Sequence, residues 1–211
     1  MKKEVIIPES LDDLTLEQWQ KIQKVVSEEG VSDEFLVRTI LRVVYGIKSG
    51  IIEHMKAKDI ENLLDSYRKI VDQQPVFKQR FTLNGIEYGF IPNLDEITAG
   101  ELVDLDSYAK DVNTHQKMMS ILYRPIKDKK GKDYSIKKYK GSNDDLLRMP
   151  LGIYLGATAF FLRLGMELQN SIIVSLKVEN PVLLVQALEK SGDGISLLTP
   201  SQMAMYCDLT E

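Results

Sequence analysis

The sequence predicts an α+β fold, mainly α-helical, with one or two β-hairpins and a long central apolar helix. Three observations carry that expectation. Thr15 with Gln18 and Thr98 with Glu101 are capping boxes, each standing ahead of apolar residues at helical spacing. Asn84-Gly85 lies among Phe81, Leu83, Ile86, Tyr88 and Phe90, an alternating pattern around the residue pair that a two-residue type I′ turn favours. Met149 to Leu162 is a run of 14 residues without a charge.

The elements follow in order. After an extended start at Val5 to Ile7, the Thr15 box opens a helix through Trp19, Ile22, Val25 and Val26, with Gly30 beyond its end. Ser32 or Asp33 caps a second helix through Phe35, Leu36, Ile40, Val43 and Val44, ahead of Gly46 and Gly50. A third runs from about Lys58 to Asp72, with Ile60, Leu63, Leu64, Tyr67, Ile70 and Val71 on one face, and Gln73-Gln74-Pro75 closes it. These form an N-terminal helical lobe over residues 1–75. Residues 76–211 form a hairpin-plus-helices core, packed with the lobe as one unit because no flexible linker separates them.

In the second part, Pro92 ends the hairpin and the Thr98 box starts a helix through Leu102, Val103, Leu105 and Tyr108. Asn113 or Thr114 begins another, carrying Met118, Met119, Ile121 and Leu122 until Tyr123-Arg124-Pro125 stops it. A second hairpin is suggested around Lys130-Gly131, with its loop in solvent. The longest helix opens at Asn143 or Asp144, or else after Met149-Pro150, where a first-turn proline loses no hydrogen bond. Counted from Leu151 to about residue 176 it spans about 39 Å at 1.5 Å per residue. Its first half has no polar stripe and must be covered all round. Asn180-Pro181 begins a short amphipathic helix through Leu184, Val185 and Leu188, Gly192 to Gly194 is a loop, and Thr199-Pro200 starts a last short helix.

Composition narrows the function classes. Thirty-one acids against 27 bases give a charge of −4, so the overall field does not attract a polyanion. One cysteine, Cys207, excludes an internal disulfide and reads as a small apolar residue, and two histidines do not make a zinc site. The apolar N-terminal run is too short for a secretion signal, and 14 uncharged residues fall short of the roughly 20 needed to span a bilayer.

The candidate sites each have a plain alternative. His115, four residues after Asp111, has the spacing of an oriented base or ligand pair, but His54 is far away in the other lobe and nothing completes a coordination sphere. Asp95, Glu96, Glu101, Asp104 and Asp106 gather near one helix start, where acids in the first turn complement the helix dipole and the alternation with Leu102, Val103 and Leu105 places several of them on a solvated face. No nucleophile elbow, phosphate loop or dinucleotide fingerprint is present in the sequence. No catalytic residue, metal ligand set or cofactor is expected. Between Lys127 and Lys140, seven lysines and two aspartates give +5, interleaved with Tyr134 and Tyr139. Lys129, Lys130, Lys132, Lys137 and Lys138 are therefore nucleic-acid candidates, the other reading being a solvated loop that discourages strand pairing between molecules. Gly152 and Gly156 form a GxxxG pair that lets another backbone approach, either at an internal crossing or, with Phe160, at a partner-docking or self-association surface.

Tyr88-Gly89-Phe90-Ile91-Pro92-Asn93-Leu94-Asp95-Glu96-Ile97-Thr98-Ala99-Gly100-Glu101, Asp104-Leu105-Asp106, His115 to Ile126 and the Met149-Pro150-Leu151, Leu155-Gly156-Ala157, Phe160-Phe161, Leu164-Gly165 and Glu167-Leu168 series together resemble a group of small tailed-bacteriophage proteins of the virion and tail-morphogenesis module. The resemblance covers about residues 81–176 and excludes the N-terminal lobe. It implies a non-enzymatic structural or packaged virion protein acting through contacts with other phage structural or tail proteins, or with itself. The alternative it implies is a tail-assembly chaperone absent from the mature virion. Either would be found in the virion or in the host cytoplasm during assembly. A nucleic-acid-binding accessory role rests on the lysine-rich segment instead.

Overall fold

The computed structural model describes residues 5–131 and 133–176, and these form a mainly helical α+β structure, as the sequence predicts. Its α-helices are α1 (Leu16–Ser27), α2 (Asp33–Val43), α3 (Ser49–Ile52), α4 (Ala57–Val71), α5 (Ala99–Ala109), α6 (His115–Leu122) and α7 (Leu151–Leu176). Its strands are β1 (Arg80–Leu83), β2 (Ile86–Phe90), β3 (Tyr123–Lys130) and β4 (Asp133–Ile136), antiparallel and in sheet order β1-β2-β3-β4. The expected helices from Asn180 and Thr199, the loop at Gly192 to Gly194 and Cys207 lie outside the described residues.

Local chemistry sets most boundaries. The Thr15 hydroxyl accepts from the Gln18 amide at 3.2 Å while the Thr15 amide donates to Gln18 Oε1 at 2.9 Å, closing the box that starts α1. The Thr98–Glu101 box starts α5 in the same way. Asn84 and Gly85 take φ of 50° and 76°, so the hairpin turns without strain and Phe81 faces Tyr88 across it. The one-turn α3 between Lys48 and Glu53 carries no periodic signal long enough to announce it.

The segment Tyr123-Arg124-Pro125 is more than a helix stop. It is the start of β3, pairing Phe90 with Tyr123, Gly89 with Arg124 and Tyr88 with Pro125. A proline is disfavoured inside a sheet because it cannot donate to the ladder. Here β3 changes partner just after it: residues 123–125 face β2, and residues from Ile126 on face β4, with an irregularity between Ile126 and Asp128. The proline falls at the handover, and its carbonyl accepts from the Lys137 amide at 2.9 Å.

Asn143 does open a helical segment, but a 3-10 turn over Asp144–Arg148, and α7 begins only after Met149-Pro150. Leu151 to Ala157 are all buried. Around them lie Leu11, Leu14 and Leu16 from the N-terminal part, Met119 and Leu122 of α6, and Phe90 and Tyr123 of the sheet, in one apolar cluster shared by the lobe of residues 1–75 and the part that follows. The joint between them is a short bridge in which the Leu16 amide donates to the Met149 carbonyl at 3.0 Å and the Leu151 amide to the Leu14 carbonyl at 2.8 Å.

The docking role considered for Gly152 and Gly156 is corrected by this packing, because both face inward. A side chain at Gly152 would meet the Asp12 carboxylate, and one at Gly156 would stand 2.5 Å from the Val76 carbonyl oxygen and 3.0 Å from the Phe77 amide nitrogen. The close approach is real, but the approaching chain is the molecule's own extended strap and N-terminal turn rather than another helix. Phe160, half-buried, stacks on Phe77 at 4.5 Å and meets Phe90 edge-on at 5.8 Å. Gly156→Ala is expected to lose about 1–3 kcal/mol in urea unfolding, since backbone must move. Gly152→Ala should lose clearly less, because the end of the half-exposed Asp12 side chain can swing away.

Candidate functional site

His115 is buried, its Nδ1 2.6 Å from the Tyr154 hydroxyl and its Nε2 3.2 Å from the Ala109 carbonyl oxygen. A carbonyl only accepts, so Nε2 carries the proton and Nδ1 accepts from Tyr154. Asp111 does not orient it: that carboxylate caps the turn before α6, accepting from the Asn113 amide at 2.9 Å. Burial lowers the His115 pKa, outweighing the Ala109 carbonyl and the Asp111 charge, and holds the ring neutral. His115 thus joins α6 to α7 as a structural residue. Among the described residues no group of three or more His, Cys, Asp or Glu side chains is placed to hold a metal ion.

The acids around α5 are spent separately. Glu101 is buried, which contrasts with the solvated face expected of this group. One carboxylate oxygen closes the Thr98 box and the other meets Arg124 Nη2 at 2.6 Å, both side chains being about one-tenth exposed. Burial raises the Glu101 pKa, but the Thr98 amide and the Arg124 charge outweigh it and the net shift is downward. Arg124 also donates from Nε to the Ile121 carbonyl at 2.9 Å and lies over the Tyr139 ring. The Tyr139 hydroxyl points to Asp104 at 3.4 Å, and burial, with Tyr108 and Asp104 beside it, pushes its pKa up to about 12. Asp106 pairs with Lys110 at 2.7 Å.

These groups line a cleft of about 680 Å³ between α5 and the chain leaving β4, with Glu96 and Asp104 on one wall and Lys137 and Lys138 on the other. Its floor, Glu101 against Arg124, is already neutralised. Among the described residues no buried side-chain nitrogen or oxygen lacks a hydrogen-bond partner, so the cleft presents no buried polar group held in reserve for a ligand.

The lysine-rich hairpin is formed, but its rings are not free to stack on bases. Tyr134 lies across Gly89, where any Cβ would strike it, and donates to the Phe90 carbonyl at 2.7 Å, with the Arg80 guanidinium 5.8 Å from its ring. Tyr139 is held under Arg124. Lys129 is ion-paired with Glu87, Lys137 and Lys138 are exposed at the cleft, Lys130 ends β3, and Lys132 lies outside the described residues.

The described structure also leaves apolar side chains in solvent. Beyond Ala157, α7 leaves its cover: Thr158 to Leu162 are half-buried, and Leu164 and Met166 are 37% and 44% exposed. On α5, Leu102 and Val103 are also exposed. The change from Leu162 to Arg163, where charge first enters the apolar run, marks the exit in the sequence. No helix among the described residues is long and apolar enough to cross a membrane. Compared with protein-family models, curated proteins and solved structures, the chain matches none.

Two outcomes follow from the buried polar pairs. Glu101→Gln keeps a capping side chain but leaves Arg124 uncompensated, and should cost about 1.5–3 kcal/mol in urea unfolding. The double variant with Arg124→Met should recover part of that loss. For His115 the folded pKa lies below the ordinary value of 6.5, so its contribution is complete above pH 6.5 and is lost as pH falls through the lowered folded value. The urea midpoint should therefore fall from pH 7.5 to 5.5, and His115→Gln should start lower and change less over the same interval.

Proposed function

We propose that this protein is a non-enzymatic component of a tailed-phage particle, structural or packaged, acting through protein–protein contacts at the outward part of α7. One observation carries the reading: α7 keeps its apolar side chains after it has left the core, so that Leu164 and Met166 remain in solvent. Apolar surface on a monomer marks a place where another surface sits. Leu102 and Val103 of α5 are also exposed.

The phage assignment is supported by the motif set from Tyr88 to Glu101, His115 to Ile126 and Met149 to Leu168, which resembles proteins of the virion and tail-morphogenesis module. Contacts with other structural or tail proteins, or with a second copy, suit such a role, in the virion or in the host cytoplasm during assembly. The nucleic-acid reading is weaker, since Tyr134 and Tyr139 both turn inward.

Mass spectrometry of purified particles tests this. The expected result is peptides of the chain at a constant ratio to the major structural proteins across a density gradient. Peptides abundant in infected cells and missing from particles would instead assign a tail-assembly chaperone.

A further inference from the structure

We infer that Asn84 is a site of spontaneous covalent modification: in the folded chain its side-chain amide closes onto the Gly85 nitrogen, and the ring then opens with water to isoaspartate or aspartate. The inference concerns the free chain and stands whether or not the particle is its destination.

Both reacting groups are free. Asn84 and Gly85 are exposed at the tip of the β1–β2 hairpin. The turn leaves the peptide between them outside the ladder, which resumes where Leu83 pairs with Ile86. Neither the Asn84 side chain nor the Gly85 amide has a hydrogen-bond partner among the described residues. A Cβ built on Gly85 would meet no heavy atom within 4 Å, so nothing crowds the nitrogen.

The other asparagines of the described residues lack this combination. Asn93, Asn113 and Asn143 hold their side chains in hydrogen bonds. Asn62 and Asn170 lie inside α4 and α7, where the next amide is a helix donor. Each of the five is followed by a residue with a side chain, whereas Asn84 precedes a glycine.

The chemistry needs only water. The Gly85 nitrogen, losing its proton, attacks Asn84 Cγ. A C–N bond forms, the Cγ–Nδ2 bond breaks, and ammonia leaves a cyclic imide behind. Water opens the imide at either carbonyl: one way restores the backbone as aspartate, the other routes the main chain through Cγ as isoaspartate. Aspartate suits the same turn, since Asp-Gly is also favoured there. Isoaspartate adds a main-chain carbon to a two-residue turn that sets the register of both strands. The strand at risk is β1, which lies at the sheet edge and is paired on one side only. Its Phe81 stacks on Tyr88 at 5.4 Å and meets Tyr123 edge-on at 5.2 Å, so losing β1 uncovers both rings.

Peptide mapping of the full chain, held folded in warm, mildly alkaline heavy-oxygen water, tests this. The peptide containing Asn84 should gain about 3 Da (about 1 Da in ordinary water) ahead of those containing the other five asparagines, with isoaspartate among the products. Asn84→Gly, which keeps a Gly-Gly turn, should gain nothing. In hydrogen exchange on the aged protein, a subpopulation equal to the isoaspartate fraction should exchange residues 80–83 about tenfold or more faster, while Asn84→Asp exchanges them as wild type does. Asn84 unconverted in the folded chain, under conditions in which a urea-unfolded sample converts it, overturns the proposal. Equal exchange of the isoaspartate form and wild type overturns the loss of β1, as does fast exchange in Asn84→Asp, which would assign the effect to charge.

Discussion

Leu151 to Ala157 have no side that tolerates water, and the described structure is organised by the need to close around them. The start of α7 is buried too, so its first amides need partners that solvent cannot supply. Pro150 removes one of these donors, and the Leu14 carbonyl satisfies another by accepting from Leu151. A turn near the N-terminus, Leu11–Asp13, is held in place by its own Ser10–Asp13 hydrogen bonds and lies against Gly152, where the missing side chain leaves room for Asp12. Capping, backbone pairing and close packing thus converge on one end of one helix.

The sheet reaches the same helix through aromatic rings. Phe90 meets Phe77, Tyr123, Phe160 and Phe161 within 4.9–5.8 Å, and Phe77 stacks on Phe160. Such pairs contribute about 0.5–1.5 kcal/mol each beyond the area they bury. The strap at Val76 and Phe77 lies close enough to supply one of these rings because Gly156 has no side chain. On the opposite face of the sheet, Tyr134 over Gly89 and the Glu101–Arg124 pair bring β4 and α5 down onto β2 and β3.

Features whose cause lies within a few residues were legible in the sequence. Both threonine boxes, the Asn84-Gly85 turn and the proline ahead of α7 act over one to three positions, and each stands where its local chemistry puts it. Features whose partners are distant were not. The Tyr154 hydroxyl decides the role of His115, Arg124 explains why Glu101 is buried, and Val76 fills the notch at Gly156. Tyr123 to Pro125 was misleading in a different way, since a proline argues against a central strand and only the change of partner at Ile126 reconciles it with the sheet. The GxxxG spacing announced a close approach correctly, but two small residues carry no information about which backbone approaches. The tyrosines among the lysines read as free rings because a sequence does not tell which way a strand side chain folds.

The bridge between Leu14–Leu16 and Met149–Leu151 bears on how the polypeptide matures. Its two sides are far apart in sequence, so the contact contributes almost nothing until the later side has been made, and long-range closure of this kind is slow. On the ribosome, α1 would emerge on the order of ten seconds, and α6 roughly a few seconds, before the segment that fills the space among them. Throughout that interval the nascent chain leaves its inner surfaces uncovered, so the rate of synthesis sets how long they stay open.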